Sequence, residues 1–140
     1  MSTVGTYSGA GVDNVVIAPS GFETVGGEAL LGQDAGSVPA DLLAMDASGK
    51  TSTVVRLATG LNPIVPLGKQ TGRKGAPRAG LYVTDDLSGN TYFAPAAQLA
   101  AYAGDVLVGS EVGGRFWIVE PHGASFRALR ALQEPGRSAL

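Results

Sequence analysis

Gly27-Glu28-Ala29-Leu30-Leu31-Gly32-Gln33-Asp34 and Gly104-Asp105-Val106-Leu107-Val108-Gly109-Ser110-Glu111 lie 77 residues apart and share one pattern. Each opens on Gly, runs through apolar residues to a second Gly, and closes on a polar residue and a carboxylate. A third, weaker copy is Gly80-Leu81-Tyr82-Val83-Thr84-Asp85. A short strand unit that recurs along a chain is the usual mark of a radial or solenoidal β architecture. The pattern bears on fold, and no decisive catalytic motif accompanies it.

Strand and turn signals continue on both sides of each copy. Ahead of the first, Val12 to Ala18 holds Val15, Val16 and Ile17, a β-branched run closed by Pro19-Ser20-Gly21. After it, Leu42 to Met45 predicts a strand, Asp46-Ala47-Ser48-Gly49 a hairpin turn, and Thr51 to Leu57 a further strand. Behind the second copy, Arg115 to Glu120 and Ser125 to Leu129 predict strands separated by Pro121-His122-Gly123-Ala124. The turn before Arg115 holds Gly113-Gly114, two residues that enter the left-handed region without a Cβ penalty. In the middle, Leu81 to Thr84 and Asn90 to Ala94 flank Asp86-Leu87-Ser88-Gly89, which echoes the Asp46 turn 40 residues earlier. Gly68 to Ala79 reads as an exposed loop. Pro95 to Tyr102 is the best helix candidate, with Pro95 at its first position. Arg127 to Glu134 reads as strand or as a short terminal helix.

Composition agrees with short strands and tight turns. Glycine supplies 21 of the 140 residues and proline 8, too many for long helices and well suited to hairpins. The chain predicts a single β domain over residues 1–140, with three blade-like repeats at about 15–60, 61–102 and 103–131 and flexible ends. Hydrophobic residues make up 44% and charged residues 16%, the latter below the roughly 25% typical of soluble domains. The net charge is -2. The small basic clusters Arg73, Lys74, Arg78 and Arg127, Arg130, Arg137 fall short of a nucleic-acid-binding surface. Without cysteine, disulfides and thiolate chemistry are excluded. Met1 to Tyr7 lacks the basic and apolar parts of a signal peptide, and no apolar run approaches the 18 or so residues of a membrane span. The expectation is a soluble protein, cytoplasmic by default, with a secreted or periplasmic location left open.

Pro19-Ser20-Gly21-Phe22 followed by Gly26-Gly27-Glu28-Ala29-Leu30-Leu31-Gly32 resembles segments of NHL-type and gluconolactonase-like six-bladed β-propellers. Gly80 to Asp85 with Ser88-Gly89-Asn90-Thr91-Tyr92, and Ala103 to Glu111 with Gly114-Arg115-Phe116-Trp117-Ile118-Val119, resemble them too. The likeness covers most of residues 15 to 130. It implies an all-β chain of antiparallel meanders arranged as propeller blades, the alternative being a small β-barrel or sandwich. Blades of about 40 residues leave room for about three, and a blade exposes apolar faces that only neighbours cover. A homo-oligomer, or the remainder of a larger protein, would then complete the ring.

Gluconolactonase-like propellers hold a divalent metal at the axis, so the resemblance makes Asp34, Asp85 and Glu111, which close the three copies, candidate ligands for Ca²⁺ or another divalent cation. The plain alternative is that these carboxylates accept hydrogen bonds in turns or lie at solvated strand ends. His122, the one histidine, is a candidate general base in an exposed turn. Arg115 would pair with Glu111 across the hairpin or hold an anionic small molecule. Phe116 and Trp117 point to opposite faces of their strand. Ser20 is not a nucleophile elbow, and Gly9-Ala10-Gly11 and Gly68-Lys69 lack the rest of a dinucleotide or phosphate loop. No organic cofactor is expected. The favoured function is non-enzymatic binding or assembly on a partial propeller scaffold, with Gly68 to Ala79 offering recognition positions. Its alternative is a metal-dependent hydrolase or lyase of propeller type. Neither nucleic acid nor membrane is an expected partner.

Overall fold

Both copies of the opening motif become the second strand of an antiparallel sheet. The computed structural model describes residues 5–9, 11–34, 39–57, 60–67, 80–84, 91–110, 115–130 and 134–135. Sheet A takes β1 (Val12–Ile17), β2 (Ala29–Gln33), β3 (Ala40–Met45) and β4 (Thr51–Leu57) in sequence order, every neighbour antiparallel. Then follow β5 (Leu61–Pro66), β6 (Gly80–Thr84), β7 (Thr91–Pro95), a one-turn helix α1 (Ala96–Leu99), β8 (Val106–Ser110), β9 (Phe116–His122), β10 (Ser125–Arg130) and β11 (Glu134–Pro135). Sheet B is ordered β10-β9-β8-β5, and the small sheet C is β11-β7-β6. The chain therefore leaves sheet B after β5, makes the β6–β7 hairpin, and returns to place β8 against β5.

Sheets A and B repeat one unit down to its hydrogen bonds. A 3₁₀ turn, Glu23–Val25 in A and Ala100–Tyr102 in B, leads into the motif. In A, Ala18 N–H donates to the Glu28 carbonyl (2.9 Å) and Gly27 N–H to the Ala18 carbonyl (3.2 Å). In B, Leu67 N–H donates to the Asp105 carbonyl (2.8 Å) and Gly104 N–H to the Leu67 carbonyl (2.7 Å). The first Gly of each motif has φ of +81° (Gly27) or +96° (Gly104), a region L side chains avoid. The second Gly answers crowding from β5. A Cβ on Gly32 would sit 2.6 Å from the Leu61 carbonyl oxygen, and one on Gly109 2.6 Å from Pro63 Cδ, where β5 bulges against β8.

The two sheets pack face to face over one core. Leu30, Leu42, Ala44 and Val54 of sheet A meet Leu61, Ile64, Val106, Val108 and Val119 of sheet B, and Phe22 fills one end with its ring 4.9 Å from that of Phe126. At one side of the sandwich β1 lies beside β5, with Asn14 Nδ2 donating to Asn62 Oδ1 at 3.4 Å. A second cluster lies on the far face of sheet B: Leu107, Phe116 and Ile118, joined by Leu67 and by Leu99 of α1, with Val65, Tyr102 and Leu129 packed around them.

These strands are all-β, as expected, and they correct the propeller assignment. Among the described residues two four-stranded sheets stack as a sandwich, the strands are too few for a six-bladed NHL-type ring, and no sheet closes into a barrel. The resemblance rested on short Gly-flanked apolar strands, which any meander of antiparallel strands needs. With the ring goes the partial-propeller scaffold invoked for assembly, and with it the propeller-type hydrolase or lyase. Local differences have local causes. β5 carries Pro63 and Pro66 and gives no strand signal, yet it is an edge strand of sheet B, where missing N–H groups are tolerated. Pro95 ends β7 and the helix starts one residue later. Arg127 to Arg130 belongs to β10, held by antiparallel pairing with Trp117 to Glu120.

Candidate functional site

Strand β1 alternates between half-buried and exposed residues, and of the three it exposes, Asp13, Val15 and Ile17, two are apolar. Val16 packs on the sandwich core. Among the described residues the exposed large hydrophobic side chains are Val15 (59%) and Ile17 (61%). The register extends them into rows. Val15 is paired with Leu31, Leu31 with Leu43 and Leu43 with Thr53; Ile17 is paired with Ala29, Ala29 with Met45 and Met45 with Thr51. Residues paired across antiparallel strands share a face, so these rows form the face of sheet A turned away from sheet B.

A segment of chain crosses part of that face. At one end, a side chain added to Gly5 would come within 2.7 Å of the Gly49 Cα, at the β3–β4 turn. At the other, Gln33 Nε2 donates to the Tyr7 hydroxyl (3.2 Å) at the far end of β2. Gly9 lies against the Tyr7 ring, and Gly11 accepts the Asp34 N–H (3.0 Å) as the chain turns into β1. Gly5–Tyr7 thus straps the β3 side of the face, and Leu31 and Leu43 are buried to 3% and 8% exposure. The β1 side stays open.

The polar rim is internally paired. Gln33 Oε1 accepts the Asp41 N–H (2.9 Å), and Arg56 bonds both Asp41 oxygens, Nε at 2.7 Å and Nη2 at 3.0 Å. The bonded guanidinium holds the Asp41 carboxyl below its ordinary range, ahead of the opposing effect of burial. On sheet B, Arg127 pairs with Glu120. Asp105 is pushed upward, first by burial and then by the Glu120 charge.

A polar cleft of about 230 Å³ opens where the 3₁₀ turn of sheet A meets the β3–β4 turn, lined by residues including Thr24, Glu28, Asp46, Lys50 and Ser52. The Asp46 carboxylate faces its own turn: Oδ1 accepts from Ser48 N (2.8 Å), Ser48 Oγ (2.6 Å) and Lys50 N (3.1 Å). These bonds, the Ser48 hydroxyl's first, hold its carboxyl below the ordinary range. Glu28 and Lys50 are left as the charged groups of the cleft wall.

The residues singled out in the sequence fall elsewhere. Asp34 follows β2 with its carboxylate against the Gly11 backbone. Asp85, Glu111 and the loop Gly68 to Ala79 lie outside the described residues. Among the described residues no three His, Asp or Glu side chains are gathered as a metal would require. His122 is exposed at the end of β9, and its main-chain carbonyl accepts the Ser125 hydroxyl (3.2 Å). Arg115 is exposed ahead of β9, its carbonyl accepting the Ser110 N–H (2.8 Å) to close the β8–β9 hairpin. Phe116 enters the second apolar cluster, and Trp117, on the opposite side of the strand, is half-buried beside Val108.

Sequence reasoning missed the open face. Its signal was Val15-Val16-Ile17 itself, since three consecutive apolar residues in a strand make both faces apolar. No helix among the described residues is long and apolar enough to cross a membrane. Compared with protein-family models, curated proteins and solved structures, the chain matches none of them.

Proposed function

We propose that this chain is an interaction module that docks through the open face of sheet A onto an apolar surface, supplied by a second copy or by the remainder of a larger protein. One observation carries this: Val15 and Ile17 are exposed to 59% and 61% and are continuous with the apolar rows of β2 and β3. Scattered exposed hydrophobics need no explanation, whereas a contiguous patch rimmed by polar residues marks an interaction surface. The rim here is Gln33, Asp41, Arg56, Thr51 and Thr53.

A fluorescent dye that brightens on apolar surfaces tests the face directly. The native chain should bind it, and Ile17→Ser with Val15→Ser should lose more than half of the signal at an unchanged melting temperature. Equal dye binding by both proteins would defeat the proposal. A melting temperature raised by Ca²⁺ would speak instead for cation binding at Asp34, Asp85 and Glu111. The cleft of about 230 Å³ with Glu28 and Lys50 on its wall favours a second reading, a small zwitterionic ligand. Chemical-shift changes confined to Thr24, Glu28 and Lys50 on adding free amino acids would support it.

A further inference from the structure

Glu28 of sheet A and Asp105 of sheet B hold the same place in their units. The Glu28 carbonyl accepts the Ala18 N–H (2.9 Å), and the Glu28 N–H donates to the Val25 carbonyl (3.0 Å). The Asp105 carbonyl accepts the Leu67 N–H (2.8 Å), and the Asp105 N–H donates to the Tyr102 carbonyl (3.0 Å). Strand pairing carries the match across each sheet. Ala29 is paired with Met45 and Val106 with Val119, so one step back Glu28 stands across from Asp46 and Asp105 across from Glu120. On the next strand the Asp46 N–H donates to the Lys50 carbonyl (3.0 Å), and Glu120 is paired with Arg127. Each unit therefore carries one row of two carboxylates and a basic residue: Glu28, Asp46 and Lys50 in sheet A, Asp105, Glu120 and Arg127 in sheet B.

The two rows differ in what supplies the cation. In sheet B the row is closed within the chain, with Arg127 Nε and Nη2 both reaching Glu120 Oε1. In sheet A the row lines the cleft of about 230 Å³. Its turn donors all go to Asp46 Oδ1 and none to Oδ2. Half-buried Glu28 and exposed Lys50 have no ion-pair partner among the described residues. Two carboxylates against one ammonium leave this wall an excess of one negative charge. A guanidinium, with its donors fixed in a planar fork, matches paired carboxylate oxygens better than an ammonium does. In sheet B a guanidinium already holds Glu120, the counterpart of Asp46. We infer that the cleft of sheet A takes a free guanidino acid, its guanidinium on Glu28 and Asp46 Oδ2 and its carboxylate at the Lys50 ammonium. The inference rests on the small-ligand reading of this cleft and narrows it. Free arginine, with two cationic groups and one carboxylate, balances the excess charge of the wall.

Titration of the native chain, followed by the amide shifts of Thr24, Glu28 and Lys50, decides it. The probes are arginine, citrulline, which keeps the shape and loses the cation, and N-acetyl-arginine amide, which keeps the guanidinium and loses the free carboxylate. Arginine should bind roughly tenfold more tightly than citrulline, the loss expected of one charged hydrogen-bonded pair. It should bind severalfold more tightly than the blocked amide. Glu28→Gln should erase the preference for arginine over citrulline. Lys50→Gln, at an exposed position, should erase the preference over the blocked amide, and it serves as the test should Glu28→Gln fail to fold. Citrulline moving these amides as strongly as arginine would overturn the inference and keep the zwitterionic reading. The blocked amide binding as tightly as arginine would overturn the free acid as the ligand and point to an arginine side chain of a polypeptide. No shift with any of the three, and none with glycine, would remove the inference and the zwitterionic reading together and leave the docking face untouched.

Discussion

Sheets A and B are built from the same unit and differ in what covers their far faces. On sheet B, Leu67 and α1 close the face, and Leu107, Phe116 and Ile118 are buried beneath them. On sheet A the Gly5–Tyr7 strap covers one side, and Val15 and Ile17 stand in solvent. A sheet that is apolar on both faces must be covered on both. Among the described residues the far face of sheet B is covered and the β1 side of sheet A is not, and the proposed docking role rests on that difference.

Removing the same side chain from each far face probes that difference most strongly. Leu107→Ala should cost about 2–5 kcal/mol, the range for a buried leucine whose surroundings cannot collapse. Leu31→Ala should sit at or below the lower end, about 1–2 kcal/mol, because the strap can settle onto the gap. Urea unfolding of the two variants measures both. Equal losses would mean that the far face of sheet A is as firmly covered as that of sheet B.

A smaller effect checks the likeness of the two units. Gly27 and Gly104 have φ of +81° and +96° with nothing within 4 Å of an added Cβ, so alanine at either meets only backbone strain. Each substitution should cost about 1–2 kcal/mol, and by similar amounts in thermal melts. A marked inequality would break the likeness of the two units.

Charge gives the smallest contrast, and the two sheets respond to pH with opposite sign. Asp41 is held below its ordinary value by Arg56, so its contribution is fully present above the unfolded carboxylate pKa, near 4, and is lost as pH falls through the lower folded value. Asp105 is raised by burial and Glu120. Stability linked to it is greatest below the unfolded pKa and declines as pH rises through the folded one. Melting temperatures from pH 3 to 7 should show Arg56→Gln flattening the acid-side loss. Asp105→Asn should raise the melting temperature slightly at neutral pH, a gain that vanishes in acid. Both variants tracking the native chain across this range would remove the contrast.

Part of the candidate site was legible in the chain. The Val15-Val16-Ile17 run was visible as a strand, and its two-faced apolarity was there to be read. What the run could not disclose is that one of its faces lacks a cover, since that depends on segments distant in sequence. The carboxylates of the repeated motif drew attention because they recur; of the three, Asp34 lies among the described residues, with its N–H bonded to the Gly11 carbonyl.

Local chemistry fixed the strands, the hairpins and the positive-φ glycines, because alternation and turn geometry act over a few residues and are written in order along the chain. Only the tertiary structure decided that β5, disguised by two prolines, pairs with β8 across an intervening hairpin, that two meanders stack as a sandwich and not as blades of a ring, and that sheet A keeps a face open. Those outcomes follow from burying apolar area between segments far apart in sequence, a driving force with no direction and no fixed spacing, so no local pattern can announce where it will be satisfied and where it will not.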